Sequence, residues 1–163
     1  MTIRDQEIPL IDLGTIGSET ATLIAKYQRL SGQNIPLSTD DKRVLTRAIN
    51  YFKKIIEGHQ LASSKEFKMS ETPGFYNGYL KVRERLPDMG LAKLVESIGE
   101  DKAIKYEIDT FYKVLNVLNK EGTLRRIENS EIEKISMFFS TLGDLMLEKV
   151  YIAQQEDDDP DVS

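Results

Sequence analysis

Cysteine and tryptophan are absent from this chain, and histidine occurs once, as His59. Without cysteine there is no disulfide framework, no thiolate metal site and no cysteine nucleophile. A single histidine excludes the HExxH zinc motif and any multi-histidine cluster, so no metal site and no cofactor are expected. No apolar run approaches the roughly 18–20 residues of a membrane span. The opening residues, Met1-Thr2-Ile3-Arg4-Asp5-Gln6-Glu7, lack the apolar core of a secretory signal. These absences together suit a cytoplasmic protein with no membrane contact. Proline is scarce as well, five in 163 residues, which leaves long stretches free of helix breakers.

What is present is a chain of one-domain size, 40% apolar and 30% charged, enough to bury a core without covalent staples. The net charge is −5. Glu156, Asp157, Asp158, Asp159 and Asp161 account for that whole excess, so the body up to Gln155 is neutral. Within it, residues 42–93 form a basic block between two acidic ones. An overall neutral body does not suit a general nucleic-acid binder.

Apolar spacing indicates an all-α fold, a single-domain bundle of about six helices over residues 18–155. Residues 1–17 place Pro9, Gly14 and Gly17 among their apolar positions and read as an extended strap or a short strand. Ser18 and Glu19 then open a helix to about Leu30. Ser38, with Asp40 and Asp41 behind it, caps a second whose stripe is Leu45, Ala48, Ile49, Phe52, Ile55 and Ile56. Phe75, Tyr79, Val82 and Leu86 mark a third, stopped by Pro87. Shorter and longer segments follow, at about 89–98 and 101–120, ended by Gly99 and Gly122. Ser130 caps the last helix, which reaches about Gln155 with a core stripe of Ile132, Ile135, Phe139, Leu142, Met146 and Val150. Met137, Leu147 and Tyr151 lie off that stripe. A helix apolar on more than one side is either central to its bundle or pairs with another chain, and these three are the candidate oligomerisation residues. Residues 156–163 read as a disordered acidic tail, able to screen the basic block.

Chemistry-bearing patterns are sparse. Arg43, Arg47, Asn50 and Lys54 fall on one side of the second helix, opposite its apolar stripe, and such a row suits phosphates or an acidic protein surface. The run Phe75-Tyr76-Asn77-Gly78-Tyr79-Leu80-Lys81-Val82-Arg83, followed by Arg85, interleaves aromatics with cations as single-strand binders do, with Tyr76 as the exposed ring. Core packing is the preferred reading of those aromatics. Residues 89–128 also admit a winged helix-turn-helix, with 124–127 as a wing strand, although Glu100 and Asp101 would then face phosphate. His59 lies on the apolar side of its helix, where a buried imidazole with one hydrogen bond is the plain expectation. General-base action would need a carboxylate that the sequence does not place. Glu107 and Asp109 diverge on a helix, serines lack a nucleophile elbow, and no glycine-rich phosphate loop occurs.

With no catalytic motif, the expectation is a non-enzymatic protein-protein interaction module, a small cytosolic subunit or adaptor whose partner is another protein or a second copy in a homodimer. The alternative is a nucleic-acid-binding accessory protein using Arg43, Arg47, Asn50, Lys54, Tyr76, Arg83 and Arg85.

Overall fold

A computed structural model describes residues 10–30, 36–64 and 74–157, with side chains only between Gly14 and Leu145. Six helices make up the described chain: α1 (Leu10–Arg29), α2 (Thr39–Ala62), α3 (Gly74–Arg85), α4 (Leu91–Ile98), α5 (Glu100–Glu121) and α6 (Asn129–Asp157). Among the described residues there is no strand, so the all-α expectation holds. The wing strand expected at 124–127 is a turn instead, with Leu124 buried and Ile127 N–H bonded to its carbonyl at 3.0 Å.

Local chemistry explains most boundaries. Ser38 Oγ accepts from Asp41 N–H at 3.1 Å and starts α2. Gly122, at φ 71°, ends α5 in the left-handed region that favours glycine. Asp88 receives the backbone N–H groups of Gly90 and Ala92 and opens α4.

The strap expected over 1–17 fares differently along its length. Residues 1–9 lie outside the described residues, whereas from Leu10 onward the chain is already helical. Gly14 and Gly17 do not break α1, because α6 crosses it there at backbone distance. A Cβ on Gly17 would lie 2.5 Å from Gly143 N and 2.6 Å from Phe139 O. The glycines lower helix propensity but permit this approach. At the other end, α6 continues to Asp157, and residues 158–163 of the expected tail lie outside the described residues.

The core sits where α2, α5 and α6 meet. Phe52 touches Phe111, Phe138 and Phe139 edge-on or tilted, with centroids 5.4–6.1 Å apart, the arrangement that ring quadrupoles favour. Tyr79 of α3 closes the cluster against Phe138. Phe138 and Phe139 are both fully buried although adjacent in sequence. That is possible because α6 packs against α1, α3 and α5 together. Over its described part, most of its apolar side chains are therefore spent inside the bundle, although Met137 is exposed.

Candidate interaction surface

The structure separates the expected site residues. Arg43, Arg47, Asn50 and Lys54 share the outer side of α2, but each cation has a local partner. Arg43 pairs with Asp40 at 3.3 Å, Arg47 lies 3.7 Å from Glu19, and Lys54 Nζ stands 5.5 Å from the Phe75 ring centre. Asn50 is exposed, as is Arg85 on α3.

Arg83 and Tyr76 do not belong to that surface. Arg83 is buried: its Nε lies 3.0 Å from Glu107 Oε1, and its two terminal nitrogens donate to Pro87 O at 2.9 Å and Asp88 O at 2.5 Å. The same Glu107 oxygen accepts the Tyr79 hydroxyl. Burial first, and the Glu107 charge next, hold the Tyr79 phenol far above its ordinary range. This network ties α3, the turn after it and α5 together; a buried charge needs such partners. Tyr76, expected as an exposed ring, is buried between His59 (centroids 5.3 Å) and Tyr79 (6.3 Å, nearly parallel). Burial, then Asp101 and Glu100, raise its phenol. Helical spacing sets the angle of these side chains, but not that α5 lies on that side.

His59 is buried as expected, and the structure supplies the missing carboxylate. Its Nε2 lies 3.1 Å from Asp101 Oδ1, the oxygen that also accepts Ser63 Oγ–H at 2.9 Å. The imidazole nitrogen is shut off from solvent and is not aligned for a hydrogen bond to the carboxylate. It stands where the end of α2 meets the start of α5.

Between α1 and α2 an open groove of about 320 Å³ is lined by Glu19, Lys26, Asp40, Asp41 and Arg43. Lys26 binds Asp41 at 2.8 Å, as does the Tyr27 hydroxyl. Burial by itself would raise the Asp41 carboxyl, yet the bonds from Lys26, Tyr27 and Ser38, with the Lys26 charge, bring it below its ordinary value. The groove's opposite charges thus largely neutralise one another. Among the described residues, no three histidine or carboxylate side chains cluster as a metal site would require, and no helix is long and apolar enough to cross a membrane.

Apolar exposure is the remaining feature. Leu91, Leu94, Val95 and Ile98 form one stripe on α4, and not one of them is buried; Ile98 is 39% exposed. Among the described residues, Leu61 (50%), Tyr106 (58%) and Met137 (41%) are the other large apolar side chains in water. Met137 is thus available on α6, while the side chains of Leu147 and Tyr151 lie outside the described residues. Fold and surface define a small all-α bundle with an under-buried amphipathic helix. No family model matches the chain, and neither a curated protein nor a solved structure does.

Proposed function

We propose that the chain is a non-enzymatic helical interaction module, a small cytosolic subunit or adaptor that docks on another protein through the apolar stripe of α4. The observation that carries this reading is the unburied set Leu91, Leu94, Val95 and Ile98. A stripe of this kind normally faces a core, and one left in water suits contact with a second surface. Arg83 is engaged inside the bundle, and Arg43 and Arg47 have acidic partners along the outer side of α2.

The test compares tagged wild-type protein with a Leu94→Glu/Ile98→Glu variant in pull-downs from source extract, with and without nuclease. Circular dichroism confirms that both are folded. A protein recovered by the wild type after nuclease, and lost from the variant, supports docking through α4. Recovery indifferent to the variant overturns it, and recovery that requires nucleic acid favours the Arg43–Lys54 side of α2 instead.

A further inference from the structure

We infer that α4 is a hinged arm, which lifts off α5 as a unit while the remaining helices stay folded. The sequence around it, Pro87-Asp88-Met89-Gly90 before and Gly99 after, puts unusual backbone at both ends. Met89 and Gly90 have φ of 53° and 86°, and Gly99 has φ 93° with ψ 159°, a combination open almost solely to glycine. Neither glycine is required by crowding, because a Cβ at Gly90 or Gly99 would meet nothing within 4 Å. Both glycines therefore stand in open space, while Met89 beside the first packs partly against the core.

Little fastens the helix between them. None of its residues is buried, and its apolar stripe rests half-covered on α5. Among the described residues, the side chains of Leu91–Ile98 make no hydrogen bond or ion pair. Few buried contacts and solvent-exposed backbone bonds are the physical marks of a segment that opens before the rest.

Directly outside the joints the chain is pinned. On one side buried Arg83 holds the carbonyls of Pro87 and Asp88. On the other, Ser63 Oγ donates to Asp101 at 2.9 Å, beside the buried His59 ring. These anchors, with Met89 packed against the core, limit the motion to residues 90–100. Lifting requires no partner.

Amide hydrogen exchange on the full-length chain tests this. The hydrogen-bonded amides from Leu94 to Gly99 should share one protection factor, at least about tenfold below that of the central α5 amides. Asp88→Ala removes the cap and should lower protection of those amides roughly fivefold, with α5 unchanged. Equal protection of α4 and α5 would overturn the inference. So would protection graded inward from both ends of α4, which means fraying in place, or an Asp88→Ala effect that spreads to α5.

Discussion

Gly17 and Gly143 meet back to back where α1 crosses α6, so close that a Cβ on the first would stand 2.8 Å from the Cα of the second and nearer still to its nitrogen. Neither element yields easily there, because the obstructing atoms are backbone. Gly143 is less crowded: its Cβ would find Ser18 Oγ at 3.1 Å and Gly14 O at 3.3 Å.

Three alanine substitutions should therefore separate cleanly in chemical denaturation. Gly17→Ala should cost about 2–3 kcal/mol by overpacking, and Gly143→Ala about 1 kcal/mol. Gly78→Ala, inside α3 with nothing within 4 Å, should stabilise by about 0.5–1 kcal/mol, since alanine is the better helix former and reduces unfolded-state freedom. A neutral Gly17→Ala would contradict the crossing.

The Arg83–Glu107 pair should behave as a buried pair, not as surface charges. Arg83→Met leaves the carboxylate without its cation and should destabilise by about 3–5 kcal/mol. Adding Glu107→Gln removes the stranded charge and should recover part of that loss, because the amide still accepts from Tyr79. Urea midpoints of the two variants decide it, and a single-variant loss under about 1 kcal/mol would place Arg83 in solvent.

Alkaline pH should unfold the bundle through its tyrosines. Burial foremost raises the phenols of Tyr51, Tyr76 and Tyr79, and pushes Tyr27 up to about 12 with help from Asp41. A raised folded pKa gives stability that is present below the unfolded value near 10 and is lost as pH climbs towards the folded one. These four of the seven tyrosines should ionise only together with loss of helical signal, read as phenolate absorbance against circular dichroism. Smooth ionisation of all seven near pH 10 with the helices intact would refute it.

Asp41 has the opposite sign. Its folded pKa lies below the ordinary 3.8, so its stabilisation is present above the unfolded value and disappears as pH falls through the folded one. Asp41→Asn should lower the thermal midpoint at neutral pH, and the gap to wild type should close in acid. A gap that persists below about pH 2 would point to lost packing instead of lost charge.

Helix placement was largely legible because it is local chemistry. The stripes of α2, α3 and α5, the Ser38 cap and the Gly99 and Gly122 stops each depend on residues within a turn or two of one another. The core stripe of α6, Ile132, Ile135, Phe139 and Leu142, was equally legible. For candidate sites, His59 was recognisable as buried from its angle alone, whereas the α4 stripe went unmarked because its exposure depends on what α4 packs against.

What only the tertiary structure decided is which neighbour meets each face. Glycine disfavours a helix by about 1 kcal/mol in isolation, so Gly14 and Gly17 read as interruptions until α6 arrives at backbone distance. Arg83 and Tyr76 read as surface groups until α5 covers them with Glu107 and Asp101. Helical periodicity specifies a direction for each side chain, while its partner comes from segments tens of residues away, through packing that the local pattern does not encode.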